Sequence, residues 1–171
     1  MRLEGEVWRA YSRDFKRSAF RLETQPTYTM PDEVDEVRRF LAGELSPPEG
    51  HNARWHETVR ANVKAGKSMT RVRVMRQPLT DYQRYGFAWS VPGNIAAGED
   101  IRVLDLTGKP LPPLPTFDFW LWDEEIVARL DYHMDGTQIG RELVEDADLG
   151  RYLEWRDYAL AHSVPFQEYQ H

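Results

Sequence analysis

The sequence predicts an α/β (α+β) domain built on a mixed sheet. A strand–helix–strand unit is followed by an antiparallel three-stranded meander and a C-terminal helix, with N-terminal helices packed on the sheet. Three observations predict this. Between Phe117 and Val144 apolar residues alternate with polar ones through FDFWLWD, EEIVARLDY and TQIGRELV, the period-two pattern of strands with one buried face. Asp123-Glu124-Glu125 turns the chain after the first run. Asp135-Gly136 is the strongest hairpin signal in the chain, since a type I′ turn needs positive φ at both central residues. Second, RVRVM at 71–75 and DIRVLDL at 100–106 read as two further strands, separated by enough chain for a crossover between parallel neighbours. Third, Leu149, Leu153, Arg156 and Leu160 lie along one side of a last helix capped by Asp146 or Asp148, with Tyr152, Trp155, Tyr158 and Ala159 widening its apolar surface.

Taken in order, residues 4–21 place Val7, Tyr11, Phe15 and Ala19 at spacing four, a helical stripe. Residues 22–28 are broken by Pro26 and read as extended. Pro31 to Leu41 reads as a short helix: proline suits its first turn, Asp32 and Glu33 complement the dipole, and Val34, Val37, Phe40 and Leu41 form its buried stripe. Gly43 ends it, and residues 45–51 form a loop around Pro47-Pro48 and Gly50. Asn52 to Ala65 is a second helix carrying Trp55, Val59 and Val63, with Gly66 as its C-cap. Pro78 stops the first strand. Thr80-Asp81-Tyr82-Gln83 has the form of a capping box, so a helix starts at Thr80 and runs to Trp89 or Ser90, where Pro92-Gly93-Asn94 interrupts it. Residues 107–116 are a proline-rich connector, and 164–171 a tail.

At 171 residues the chain fits one domain with a proper core, and 41% hydrophobic with 29% charged residues is ordinary for a soluble protein. The charged start, MRLEGEVWRAYSRDFKR, is expected to be no signal peptide, and no run is long enough to span a bilayer, so a cytoplasmic location is expected. With no cysteine, disulfides, iron–sulfur clusters and cysteine nucleophiles are excluded. A net charge of −6 argues against generic nucleic-acid binding. Within it, residues 54–76 are basic and the chain from Asp118 onward is acidic.

Familiar catalytic signatures are missing. There is no G-x-S-x-G around any serine, no P-loop and no G-x-G-x-x-G. His51 and His56 are five apart, a poor match to a helical i, i+4 metal pair. His133 lies beside a turn and His162 at a helix end, so the histidines are expected to be structural. No catalytic residue, metal or cofactor is predicted. The constellation of most interest is Arg71, Arg73 and Arg102 on the two strands flanking the capped helix. If those strands are neighbours, the three guanidiniums share one face, suited to fork-like recognition of phosphate or carboxylate. Asp118, Trp120 and Trp122 point one way from their own strand and could add an aromatic–cationic shelf. The plainer reading pairs the arginines with Asp118, Asp131 or Glu142 and buries the tryptophans in the core.

The segments RVRVMRQPLTDYQRYGFAW, AAGEDIRVLDL, LPTFDFWLWDEEIVARLDY and ELVEDADLGRYLEWRDYALAHSVPF together resemble a family of actinobacterial proteins, a domain of unknown function. That resemblance spans nearly the whole chain. It implies a setting near small helix-turn-helix regulators, hence a regulatory or toxin–antitoxin-like role, and brings no catalytic residues with it. The order of elements from Thr70 onward is also similar to one half of a phospholipase D-like domain, dividing the single domain into a helical part, 1–66, and a phospholipase D-like part, 67–171. Those enzymes use His-x-Lys, which is absent here; His133 is followed by Met134 and Asp135. The expectation is therefore a non-enzymatic regulatory or interaction module that binds a protein partner, such as a helix-turn-helix regulator, or a small anionic ligand. The alternative is a phosphodiesterase- or nuclease-like enzyme or toxin component.

Overall fold

The computed structural model describes residues 1–171. In chain order its elements are α1 (Gly5–Asp14), β1 (Ser18–Glu23), α2 (Val34–Leu41), α3 (Ala53–Lys64), β2 (Ser68–Met75), α4 (Asp81–Tyr85), α5 (Val91–Ala97), β3 (Asp100–Asp105), β4 (Asp118–Trp122), β5 (Ile126–Tyr132), β6 (Gln138–Leu143), α6 (Leu149–His162) and β7 (Val164–Pro165). A π-helical turn, Gly86–Ser90, joins α4 to α5. The strands form one seven-stranded mixed sheet in the order β6-β5-β4-β1-β2-β3-β7. β1, β2 and β3 run parallel, while β4, β5 and β6 form the expected meander, antiparallel to one another and to β1.

The two faces are dressed differently. α6 covers one, setting Tyr152 and Ala159 against Phe20, Leu22, Val72, Leu104, Phe119 and Leu121. Trp155 and Tyr152 meet the Phe119 ring at 6.1 and 5.0 Å. On the opposite face α1 and α3 cover Ala19, Met69, Trp120, Trp122 and Leu130, with Phe15 and Val59 driven into the same cluster. Tyr11 stacks on Trp122 at 5.1 Å and Trp8 meets it edge-on at 5.7 Å. Beyond this cluster, toward the carboxyl ends of β1 and β2, the same face turns polar.

β1 is the largest departure from expectation. The helix predicted over 4–21 stops at Asp14, and Ser18–Glu23 becomes the strand between β2 and β4. The Asp123 carboxylate accepts from the amides of Lys16, Arg17 and Ser18 at 2.7, 2.5 and 3.1 Å, so the amides that would extend the helix are held in a tight turn. Tertiary pairing on both sides then overrides a helical spacing that was real only as far as Phe15. The stretch before residue 67 is consequently not wholly helical.

Smaller departures have equally local causes. α2 buries none of its residues, and Val34 and Leu41 are half-exposed, because the helix is cantilevered from the body through Phe40, whose ring meets Tyr85 and Trp89. Gly136 alone of the Asp135-Gly136 pair has positive φ, and its amide donates to His133 O: the hairpin is a type I turn closed by a left-handed glycine rather than type I′. Pro92 and Gly93 sit inside α5 instead of breaking it. The π-helical turn shifts the hydrogen-bond register just ahead of Pro92, so proline's missing N–H falls in the first turn of the next helix, where no intrahelical acceptor awaits it. Residues 164–165 are not simply tail but pair with β3 as β7.

Candidate functional site

The polar part of the open face is a cleft at the carboxyl ends of β1 and β2, where open α/β sheets take their ligands. Its inner chamber is about 260 Å³ and is floored by Arg21, Glu23, Arg71 and Arg73. Tyr28, Tyr82 and Tyr132 wall one side, and Trp55, Gly86, Ser90 and Asn94 the other. Through Asp32, Glu33, Asn52 and Trp55 it opens into an outer basin of about 680 Å³ between α1, α3 and the start of α2. Period two places the charged floor here: Arg21 and Glu23 alternate with Phe20 and Leu22, and Arg71 and Arg73 with Val72 and Val74, whose side chains go to the α6 face.

The floor is a network of buried ions. Arg71 pairs with Glu23 through Nη1 and donates from Nε to Glu99 Oε1 at 3.0 Å. Its guanidinium also lies over the rings of Trp55 and Trp120 at 5.6 and 5.5 Å. Arg21 donates from Nη2 to Asp118 Oδ2 at 2.8 Å. Asp118 has no exposure and accepts as well from Tyr28 Oη at 2.6 Å and from the Thr24 amide and hydroxyl at 2.8 Å. Burial pushes the Asp118 carboxyl up, against the pull of Arg21 and the Tyr28 hydroxyl. Burial also works to raise Glu23, but Arg73, Arg71 and Arg21 together outweigh it and hold the carboxyl down at about 2. At the rim, burial raises Glu33 to about 6, although it accepts from the Tyr82 hydroxyl at 2.9 Å.

Arg73 differs from Arg21 and Arg71 in donating no side-chain hydrogen bond. Its Nε, buried without an aligned acceptor as the Nε of Arg21 also is, lies 3.3 Å from Glu23 Oε2, a carboxylate already engaged by Arg71. The side chain is 11% exposed, and its guanidinium lies against Gly86, where a Cβ would stand 2.9 Å from Nη1. The Trp55 indole N–H, in the same chamber, is likewise buried without an acceptor. Buried donors are paired almost without exception in folded proteins, so three of them lining one cleft, on Arg21, Trp55 and Arg73, mark a place where an acceptor fits.

Of the residues singled out from the sequence, Arg71 and Arg73 meet in this chamber, with Trp120 beneath Arg71 and Asp118 behind Arg21. Arg102 does not join them. β2 and β3 are parallel with Val72 opposite Arg102, so its side chain emerges on the α6 face, donating to Ser163 Oγ and O at 3.0 and 3.1 Å. Trp122 also stands apart, two residues further along β4 and buried under α1. Ion pairing does occur for Arg71 and Arg73, but with Glu23 and Glu99 rather than Asp118, Asp131 or Glu142; Asp118 pairs with Arg21. Sequence reasoning missed Arg21, Glu23, Tyr28, Glu33, Trp55 and Tyr82; the alternation in Ser18–Glu23 was a usable signal for the first two.

His51 and His56 each meet fixed side-chain partners. His51 Nδ1 lies 2.5 Å from Glu36 Oε2, and its Nε2 lies 3.2 Å from Ser90 Oγ. His56 Nε2 meets Asn94 Oδ1 at 3.0 Å, fastening α3 to α5. No three His, Asp or Glu side chains converge closely enough to hold a cation, and no helix is long and apolar enough to cross a membrane.

Fold and cleft together describe a mixed α/β domain with a ligand-sized chamber at the carboxyl ends of its parallel strands. The chain belongs to the DUF6879 family, a domain of unknown function, whose model matches residues 6–171. No curated protein matches it.

Proposed function

We propose that this protein is a ligand-binding regulatory module, and that its cleft recognises a small anion of the carboxylate or phosphate type. The single observation that carries this reading is Arg73, a guanidinium almost fully enclosed in the chamber that donates no side-chain hydrogen bond, its one ionic contact being the 3.3 Å approach of Nε to Glu23, a carboxylate it shares with Arg71. The attraction is local. Arg21, Arg71 and Arg73 are matched one for one by Glu23, Glu99 and Asp118, and Asp32 and Glu33 add negative charge at the rim, so the cleft offers an anion guanidinium donors and a planar fork rather than an attractive field. A chamber of about 260 Å³ suits a ligand of a few heavy atoms, with any larger portion lying in the outer basin. Occupancy would tie the start of α2 to the sheet, and the exposed face of that helix is where a helix-turn-helix partner would sense the change.

Thermal unfolding in the presence of succinate, orthophosphate and nucleoside monophosphates tests the recognition step. A ligand at a hundredfold excess over its Kd stabilises the folded state by about 2.7 kcal/mol, which for a domain of this size raises Tm by roughly 5–10 °C. Arg73→Ala should abolish the shift while still folding. A wild-type protein indifferent to every anion, or an Arg73→Ala variant that responds as the wild type does, removes the reading.

A further inference from the structure

The chamber wall holds a second arrangement that anion recognition does not use. Ser90, the last residue of the π-helical turn, lines the chamber, and its Oγ is 3.2 Å from His51 Nε2. On the far side of the ring His51 Nδ1 is 2.5 Å from Glu36 Oε2, which also accepts from the Tyr85 hydroxyl at 2.9 Å. With Glu36 accepting from Nδ1–H, Nε2 is left as the acceptor facing the serine hydroxyl. A hydroxyl, an imidazole and a carboxylate in that order and at those distances form the relay by which enzymes activate serine. The imidazole side chain is 6% exposed, shielded from bulk water behind the serine.

We propose that Ser90 is a nucleophile for acyl transfer, with His51 its general base and Glu36 the positioning residue, and that the substrate is a small carboxylic ester. In the first step Ser90 Oγ bonds to the ester carbonyl carbon while its proton passes to His51 Nε2. The tetrahedral adduct collapses by breaking the bond to the alcohol oxygen, which leaves with the proton from His51. Water then attacks the acyl-serine, again deprotonated by His51, and the proton returns to Ser90 Oγ as a carboxylic acid is released. No oxidant, metal or cofactor is required for the balance.

Two further features fit. The amide of Val91, the residue after the nucleophile, donates to Gly86 O and cannot stabilise an oxyanion. The charge that develops on the carbonyl oxygen is assigned instead to Arg73, which lines the same chamber as Ser90 and whose guanidinium rests on Gly86 in the same π-helical turn. The inference rests on the recognition reading in this respect: the anion that Arg73 holds is the carboxylate product of the ester. Rigidity comes from the His56–Asn94 contact, which holds α5 against α3 and so fixes the backbone that carries Ser90.

A fluorophosphonate probe, which labels activated serines covalently, tests the assignment on the full chain. One adduct is expected, located on Ser90 by peptide mass mapping, absent in Ser90→Ala, and forming about a hundredfold more slowly or less in His51→Gln, the usual contribution of a general base. Glu36→Gln keeps an acceptor for the ring but not its charge. It should slow labelling and move the pH profile of the rate, which a merely structural hydrogen bond would not do. A wild-type protein left unlabelled at Ser90, or labelled equally fast in His51→Gln, overturns the proposal. Anion binding without labelling leaves recognition standing and removes the catalytic step. Labelling without any Tm response to succinate does the reverse.

Discussion

Glu33 is the rim residue with the most readable chemistry. Its carboxyl is raised from 4.5 to about 6 by burial, despite the Tyr82 hydroxyl that it accepts from; Asp32 and Glu23 add to the rise and Arg73 opposes it. Between those two values the folded chain binds more protons than the unfolded one, so stability falls as pH rises from 4.5 through 6. The total is about 2 kcal/mol at most, because the group is partly exposed. Glu23 has the opposite sign. Held down at about 2 by the arginines, it contributes stability above 4.5 that is lost as pH falls toward 2. Urea midpoints measured from pH 5 to 7, above the range in which Glu23 acts in the opposite sense, should show the decline, and Glu33→Gln should flatten it. A variant as pH-dependent as the wild type would mean that Glu33 is not the group responsible. Neutralising Glu33 also removes a negative charge from the rim, so anion affinity should strengthen as pH drops through 6. At this scale the sequence showed which residues were charged but not which were buried. Arg71 and Arg73 announce themselves by alternation with valines. Arg102 alternates just as well, yet the parallel register sets it opposite Val72, and a shift of one position would have sent it into the cleft.

The run α4, π-helical turn and α5 is the element that makes the site, and its start was legible. Thr80 and Gln83 form the capping box that TDYQ promised, the threonine hydroxyl accepting from the Gln83 amide at 3.1 Å and Gln83 Oε1 from the Thr80 amide at 2.9 Å. Its middle was not legible, because a π-helical turn has no compositional signature and Pro92-Gly93 reads as a break. Likewise His51 and Ser90 lie 39 residues apart, and His51 and Glu36 15 apart, so only the packing of α2 and the following loop onto this run unites them. Gly86 tests the element directly. Its backbone is ordinary right-handed helix, and a Cβ would meet only the tip of Arg73. Gly86→Ala should therefore leave Tm unchanged or raise it, since alanine is favoured over glycine in a helix by about 1 kcal/mol. It should weaken anion binding by about tenfold or more, the worth of one displaced charge-assisted hydrogen bond. Unchanged affinity would show that Arg73 does not hold the anion from where it stands.

At the scale of the whole molecule, the meander, the strand–helix–strand unit and the last helix were all visible in the sequence because each is locally periodic. The strand that unites them was not. Ser18–Glu23 carries two charged residues on its inner side, Arg21 and Glu23, and both are sheltered only because β2, β4 and the cleft walls supply their partners. Such a strand is a product of tertiary pairing, and its polarity is the trace of the site it floors. This has a consequence for any division of the chain near residue 67. Without β1, β2 keeps only β3 and β4 keeps only β5, leaving two unpaired edges facing a gap in the middle of the sheet. Phe20 and Leu22 vanish from the core under α6, and with α1 and α3 gone Trp120 and Trp122 are bared to water. A fragment of residues 67–171 should accordingly lack the near-ultraviolet circular dichroism of its tryptophans and give a collapsed amide spectrum. Co-expression with residues 1–66 should restore both, because β1 and the helices that flank it arrive on that piece. A well-dispersed spectrum from 67–171 alone would show that the sheet closes without its central strand, and that the charged floor is laid on a scaffold already complete.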